Sequence, residues 1–325
     1  MRISTPNTRT YLSGTHYKEI EPRQYILAFE GMKTEPQYFD GIRKYADSIG
    51  INAAAIRCIP LIRSTPEEGF SHPEQGCLPL LEKCISEYQN GEMSIETLAV
   101  HIIDWAADIC IIKRKENQKY LAAVKNQIIE RFSQEGHTKE ETIPYSEIEP
   151  IAKKGYEHLK HILQCELAEK QYTQYIDAIR KEMLHISKND IACLIIDRDP
   201  KSFSKEAYTN VQNRCRDKKI QLIVSNPQFE FWLLLHFTDA AEYDKEQLQK
   251  NQGYLLSKLR EKVGHDPKRV IFTQYLNNVK TAILNEHNYA ETLDELQDHL
   301  GSNVGTLLSD LLGTAAEEQT TEENC

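Results

Sequence analysis

Acidic side chains end two apolar segments that lie more than 160 residues apart in the chain. Glu30 ends the segment YILAFE, and Asp197 and Asp199 end the segment CLIIDRD. Side chains alternate along an extended strand, so the two aspartates project to the same side. One or two carboxylates at a strand end, together with water, suffice to hold Mg²⁺ against a substrate phosphate. The spacing therefore predicts a divalent-metal site.

Local sequence leaves two interpretations of these acids open. An Asp-Arg-Asp-Pro segment is also typical of a simple turn, and a Glu before a Gly, such as Glu30, is often a solvated turn residue. The apolar strand before Asp197 favours the metal site, because a carboxylate at the edge of a buried sheet is costly unless a cation neutralises it. The C-terminal ends of parallel strands converge, so we expect Glu30 to join the site as a ligand or as general acid or base.

A third segment, SNPQFEFWLLLHF, places further polar residues after an apolar strand. Asn226 as the N-cap and Pro227 in the first turn predict a helix whose positive end lies at the same sheet edge. Glu230 follows in an apolar neighbourhood where a carboxylate needs a partner, although the solvent-facing side of a core helix is an equal alternative. His236 is expected to be a hydrogen-bonded core residue.

Basic residues near the acids are expected to contact the phosphates of a substrate. Lys33, Arg198 and Asn226 are assigned to substrate binding. The wider set of candidates for a phosphate path also includes Lys201, Arg214, Arg216, Lys218 and Lys219. The run RCRDKK is equally typical of a solvated helix end.

The apolar patterning around the acids predicts alternating strands and helices. Residues 25–29 form the first expected strand, residues 34–50 a helix with Thr34 as its N-cap, and the segment AAAIRCIPLI the next strand. The same alternation resumes at Ile191. Such a βαβ start predicts a parallel sheet that binds its ligand at the C-terminal strand ends.

Between the two α/β segments, long helical periodicity predicts a mostly helical insertion with a polar loop over residues 131–147. The expected domain organisation has four parts. They are an irregular arm over residues 1–23, an α/β domain formed by residues 24–65 and 189–312, the insertion over residues 66–188, and a disordered acidic tail over residues 313–325.

Composition and missing motifs exclude several classes of protein. The net charge of −10 argues against holding nucleic acid through bulk electrostatics, so any such contact must be a local basic surface. The eight cysteines include no CxxC pair, which argues against a disulfide framework or a Cys-rich zinc site. There is no GxxxxGK[ST], GxGxxG or GxSxG motif. No long apolar stretch or signal peptide occurs, so a cytoplasmic protein without membrane contact is expected.

The segments FEGMKTEPQYF, CLIIDRDP and SNPQFEFWLLLHF, in that order, resemble the RloB-like family, which is linked to restriction and abortive-infection loci. The resemblance implies a Toprim-like (Rossmann-like) parallel sheet flanked by helices, with Mg²⁺ or Mn²⁺ bound by the acids. By position, Glu30 matches the Toprim glutamate, and Asp197 and Asp199 match its DxD pair. Glu230 matches the acid of the Asn-Pro-x-Phe-Glu block. The long helical insertion departs from the family pattern.

The acids and the resemblance together imply a Mg²⁺-dependent Toprim-type endonuclease that hydrolyses RNA, including tRNA, or DNA in anti-phage defence. Its expected catalytic residues are Glu30, Asp197, Asp199 and Glu230, of which the first three also bind the metal. A companion ATPase and a homo-oligomer are the expected partners. The alternative is a non-catalytic subunit that senses a nucleotide or has a structural role in a defence complex.

Overall fold

The computed structural model describes residues 23–31, 33–59, 73–109, 118–166, 169–183, 186, 189–199, 201 and 203–323. The expected N-terminal arm, apart from Arg23, and the expected domain limit near residue 65 lie outside these ranges.

Within the described residues, seven strands form two sheets. The strands are β1 Tyr25–Phe29, β2 Ile56–Ile59, β3 Glu92–Ser94, β4 Thr142–Pro144, β5 Ile191–Asp197, β6 Ile220–Asn226 and β7 Gly301–Ser302. The larger sheet has the order β2-β1-β5-β6-β7. Its first four strands are parallel, whereas β7 pairs antiparallel with β6. The mixed α/β class with a mostly parallel, Rossmann-like sheet is therefore confirmed.

Helices cover both faces of this sheet and form the insertion. Their bounds are α1 Thr34–Lys44, α2 Ala46–Ile49, α3 Cys77–Asn90, α4 Ile95–Asp108, α5 Gln118–Gln134, α6 Ile148–Leu163, α7 Glu169–Glu182, α8 Lys205–Asp217, α9 Phe229–Leu235, α10 Lys245–Lys250, α11 Gln252–Val263, α12 Val279–Glu286, α13 Leu293–Leu296 and α14 Val304–Glu323.

The register of the parallel strands brings their C-terminal ends together. Phe29 at the end of β1 pairs with Ile195, and Asp197 at the end of β5 pairs with Ser225 of β6. The residues that follow β1, β5 and β6 consequently lie at one edge, which we call the C-terminal edge of the sheet.

Two apolar cores hold the helices against the sheet. One face packs on α1, α9, α11, α12 and α14, and the other on α3, α8 and α13. On the first face, the buried Tyr38 of α1 makes edge contacts with the rings of Phe229 and Trp232. This aromatic packing fixes α1 against α9, and both helices begin at the C-terminal edge.

The insertion has a core of its own. Helices α4 to α7 pack around a buried aromatic cluster, in which Trp105 contacts Tyr156 and Tyr175. Two expectations about the insertion are wrong, one about where it begins and one about the loop inside it. Helix α3 belongs to the sheet domain because its residues Cys77 and Leu81 pack in the core under β1 and β5, so the insertion begins after Asn90 and not at residue 66.

The second error concerns the polar loop over residues 131–147. Helix α5 continues to Gln134, and residues 142–144 form β4, which pairs with β3. Three-residue strands are too short to give a period-2 signal in the sequence. At the other end of the chain, α14 extends to Glu323, so the helix enters the segment expected to be a disordered tail. No described helix is both long and apolar enough to cross a membrane.

Candidate functional site

Four carboxylates from three parts of the chain lie together at the C-terminal edge. Glu30 follows β1, Glu35 lies in the first turn of α1, Asp197 ends β5, and Glu230 is the second residue of α9. Their proximity is evident from their electrostatics: burial raises the pKa of Asp197 most, and the charges of the three glutamates raise it further. We call these four residues the acid cluster.

Backbone hydrogen bonds fix the positions of the acids. The Glu30 N–H donates to the Ile195 carbonyl at 2.9 Å, which continues the ladder between β1 and β5 past the end of β1. The Asp197 N–H in turn donates to Glu30 Oε2 at 3.2 Å. Asp197 Oδ1 accepts the N–H of Phe229 at 2.8 Å, which ties β5 to the start of α9.

Burial and mutual repulsion disfavour the charged forms of the cluster. Burial, followed by the charges of Glu230 and Glu30, raises the pKa of Glu35 to about 7. Burial also raises the pKa of Glu230, although the positive charge of Lys268 and a hydrogen bond from Thr34 act in the opposite direction. A cation bound here would relieve this repulsion and restore the ionised carboxylates.

Gly31 explains how Glu35 reaches the cluster. The Glu35 carboxylate folds back over the backbone at position 31, where any Cβ would overlap it. Glu35 itself is only 4% exposed. A glycine is therefore needed directly after Glu30 if a second carboxylate is to approach the first.

The donor set fits a divalent cation such as Mg²⁺, which prefers carboxylate oxygens and water. In the described parts of the chain, however, no three His, Cys, Asp or Glu side chains are grouped closely enough to hold a metal ion as they stand. Glu30 and Asp197 instead accept backbone N–H groups, as described above. Metal binding therefore requires these carboxylates to rotate toward a common centre.

The second aspartate of the DRD segment lies in a turn. Asp199 Oδ1 accepts the Lys201 N–H at 3.1 Å, which is the turn geometry that the sequence left open as the alternative. The structure thus brings Asp197 to the glutamates, whereas the Asp199 carboxylate caps the loop that follows β5.

Arg198 cannot contact a substrate in this arrangement, so that expectation is wrong. Its side chain is 2% exposed, donates to the carbonyls of Phe203 and Gln297, and stacks over the rings of Phe203 and Tyr208. The Arg198 side chain thus points away from the acids and into the core that contains Phe203 and Tyr208.

Two expected helix caps are also wrong. Asn226 is the last residue of β6, and its buried amide donates to the Leu296 carbonyl at 2.8 Å, so it neither caps α9 nor faces a substrate. The N-cap of α9 is Gln228. Thr34 is the first residue of α1, and its hydroxyl donates to Glu230 Oε1 at 3.4 Å instead of capping the helix.

Among the proposed phosphate contacts, Lys33 is the exposed N-cap residue of α1 at the C-terminal edge. The run RCRDKK lies elsewhere. It ends α8 and leads directly into Ile220, the first residue of β6, so it sits at the opposite edge of the sheet. Arg214 in addition pairs with Glu82 at 2.7 Å. The expectation that this run lines a phosphate path to the acids is therefore wrong.

The structure shows whether Glu230 faces solvent and whether His236 lies in the core. Glu230 is 4% exposed, which excludes the solvent-facing position. His236 is a core residue, as expected. Burial lowers its pKa to about 3, so the neutral ring donates from Nδ1 to the Trp232 carbonyl and accepts the Tyr38 hydroxyl at Nε2.

The sequence interpretation missed Glu35 and Lys268. The pair Gly31 and Glu35 in FEGMKTEP was an available signal, because a glycine before a helix that begins with an acid leaves room for that acid to fold back. Lys268 had no comparable local signal, since only the fold brings it near Glu230.

No curated protein and no solved structure matches this chain. The model of one family, described as RloB-like protein, matches residues 25–311. This match spans the whole acid cluster and most of the chain. The chain therefore belongs to the family of RloB-like proteins.

Proposed function

We propose that this protein is a divalent-metal-dependent nuclease that hydrolyses phosphodiester bonds in RNA or DNA. The observation that carries the proposal is the acid cluster, in which burial and the charges of neighbouring carboxylates raise the pKa of Glu35 and of Asp197. A purely structural protein has no need to keep mutually repelling carboxylates together. This edge is also where open α/β sheets bind their ligands.

The acids have two proposed roles, as metal ligands and as general base. Glu30 and Asp197 are the proposed metal ligands, and Asp199 would join them after release from its turn. A bound Mg²⁺ or Mn²⁺ would polarise the phosphate and favour deprotonation of water. Glu35, which a bound cation would hold ionised beside the ligands, is suited to accept a proton from the attacking water at its carboxylate.

The proposal is tested with purified protein and labelled tRNA, single-stranded RNA and double-stranded DNA, in Mg²⁺, Mn²⁺ or EDTA. We expect metal-dependent cleavage that falls by about a hundredfold or more in Glu30→Gln and Asp197→Asn. Asp217→Asn is the matched control, because it removes an exposed carboxylate at the opposite edge of the sheet.

Three outcomes separate the alternatives. No cleavage of any substrate, even with the companion ATPase supplied, would refute the nuclease. Cleavage unchanged in both cluster variants would refute the site while leaving the activity. Nucleotide binding without cleavage would favour the non-catalytic sensing subunit.

We also propose that the nuclease acts in anti-phage defence beside a companion ATPase. This part rests on the family alone. Phage plating on cells that express the wild-type chain or Glu30→Gln, with and without the ATPase of the same locus, tests it. Equal plating on all four strains contradicts the defence role.

A further inference from the structure

A turn between α11 and the short helical turn Phe272–Gln274 carries two adjacent cations, Lys268 and Arg269. Both side chains are exposed. Within the residues that the structure describes, neither forms an ion pair with a neighbouring acid, unlike many other Lys and Arg residues of this chain. We call residues 264–271 the basic turn.

The basic turn is anchored to the helix that carries Glu35. The Val270 N–H donates to Gln37 Oε1 at 2.9 Å, and Gln37 lies in the first two turns of α1. The Phe272 ring, just beyond the turn, lies directly against Gly41 and stacks on Tyr45 with ring centroids 5.9 Å apart. The Val270 contact places the turn beside the first half of α1, the helix that carries Glu35, and the Phe272 contacts hold the following residues along the rest of that helix.

The backbone of the turn is also held in shape from within. Asp266 Oδ1 accepts the Lys268 N–H at 3.2 Å, and the Asp266 carbonyl accepts the Arg269 N–H at 3.0 Å. The nearest acid of the turn is thus engaged with the backbone. The two cations project from a pre-organised loop, so that less conformational entropy is lost when they bind an anion.

The turn and the acid cluster are electrostatically coupled. Burial has the largest effect on Glu230 and raises its pKa; the charge of Lys268 lowers this pKa, and the charge of Asp266 in the same turn raises it. A net charge of −10 and a cluster of carboxylates repel a polyanion at long range. A nucleic-acid strand can therefore approach this edge only where local cations offset that repulsion.

We propose that Lys268 and Arg269 bind the sugar–phosphate backbone of a nucleic-acid strand and hold it with one phosphodiester at the acid cluster. The inference rests on the proposed function, and it assigns the substrate class as a polynucleotide strand and not a mononucleotide. Contacts to phosphates carry no base information, so the two residues position strands of any sequence. Lys33, exposed at the start of α1, extends the same path.

Binding measured without catalysis tests the inference. The probes are fluorescein-labelled single-stranded RNA and DNA of about 20 nucleotides, a length that spans several phosphate contacts, in EDTA with the full chain. The variant is Lys268→Gln/Arg269→Gln. Its matched control, Lys218→Gln/Lys219→Gln, removes two exposed charges at the opposite edge of the sheet.

We expect the Lys268→Gln/Arg269→Gln variant to bind about tenfold more weakly at moderate salt. The slope of log K against log salt should fall by about 1.4, the value for two lost single-strand contacts. The control should retain both the affinity and the slope of the wild type. Lys268→Arg should retain binding, since it keeps the charge. Circular dichroism at the same concentrations checks that the variants are folded.

The binding assay tests the basic turn, and the cleavage assay tests the nuclease, so one proposal can fail without the other. Three results would each overturn the inference. The wild-type protein binds neither probe, the variant binds as tightly as the wild type, or the control loses as much affinity as the variant. Selective loss of binding in the variant supports it, even if the wild type never cleaves, in which case only the proposed nuclease activity fails. Cleavage by a variant with unchanged binding would refute the role of the turn and leave the nuclease intact.

Discussion

The acid cluster should destabilise the fold when no cation is bound, and Glu35→Gln should relieve this cost. Glu35 is 4% exposed, and its pKa is raised from 4.5 to about 7, first by burial and then by the charges of Glu230 and Glu30. Glutamine keeps the size of the side chain and an acceptor oxygen but carries no charge. The substitution therefore removes the repulsion while preserving the contact with Gly31.

The pKa shift fixes the sign and the pH window of the effect. A carboxyl whose pKa is higher in the folded than in the unfolded state contributes its full stability below about pH 4.5 and loses it as the pH rises through about 7. Between pH 5 and pH 8 the loss amounts to about 2.5 kcal/mol, at about 1.4 kcal/mol per pKa unit. Glu35→Gln should therefore exceed the wild type by about 1 kcal/mol at pH 5 and by about 3 kcal/mol at pH 8.

Urea denaturation at pH 5, 6, 7 and 8 measures this difference, in EDTA and again in excess Mg²⁺. The two tryptophans lie in different cores, Trp232 in the sheet domain and Trp105 in the insertion. In a Trp105→Phe background, fluorescence reports unfolding around the cluster alone. Saturating Mg²⁺ should stabilise the wild type by about 2–3 kcal/mol at 100 times its dissociation constant, and should stabilise Glu35→Gln less.

Glu286→Gln is the matched control. Glu286 is another fully buried acid, and burial raises its pKa to about 8, but it accepts the Gly305 N–H at the start of α14. Its substitution should also stabilise the protein at high pH while leaving the response to Mg²⁺ unchanged. A stability difference between Glu35→Gln and wild type that is constant from pH 5 to pH 8 would refute the reasoning. So would an equal Mg²⁺ response in all three proteins.

The remaining predictions concern two buried cations that support the fold. Lys125 is fully buried and pairs with Glu96 at 3.2 Å, so Glu96→Gln, which removes that carboxylate, should cost about 3 kcal/mol of insertion stability. Trp105 fluorescence during urea unfolding measures this loss, and a change below about 0.5 kcal/mol, the range of a neutral surface substitution, would contradict it. Arg198→Met should cost about 2 kcal/mol by leaving the buried carbonyls of Phe203 and Gln297 without their donor. The same variant should keep the affinity for labelled RNA, because the Arg198 side chain is buried in the core and is not exposed to a substrate; a selective loss of binding would restore it as a substrate contact.

Part of the site could be predicted because the sequence pattern shows where strands end. An apolar run that stops at an acid marks a strand end, and parallel strands place such ends at one edge. Glu30 and Asp197 were found in this way, although more than 160 residues separate them. Glu230 was found because a helix that follows β6 must begin at the same edge.

The other features of the site and fold depended on where side chains and helix faces point, which the local sequence does not determine. Asp197 and Asp199 differ because the chain leaves the extended conformation between them, so alternation no longer puts both carboxylates on one side. The pattern of α3 shows an apolar face, but not which of the two cores that face packs against. Lys268 reaches Glu230 only through the packing of the turn on α1, which is a long-range contact.

The direction of α3 shows where the insertion leaves the sheet domain. Helices α3 and α8 run side by side in the same sense, because Glu74 before α3 accepts a hydrogen bond from Asn210, and Glu82 further along accepts one from Arg214. Helix α8 leads from the C-terminal edge at the end of β5 to the opposite edge at the start of β6. Helix α3 therefore also delivers the chain to that opposite edge.

The return point of the insertion lies at the same opposite edge. The Asp190 carboxylate accepts the Gln24 N–H at 2.9 Å, immediately before β5 and β1 begin. Both junctions of the insertion are thus separated from the acid cluster by the length of the parallel strands. Because the insertion joins the sheet domain away from the acids, we expect it to serve contacts with a second copy, a partner or an activating ligand and not the chemistry at the acids.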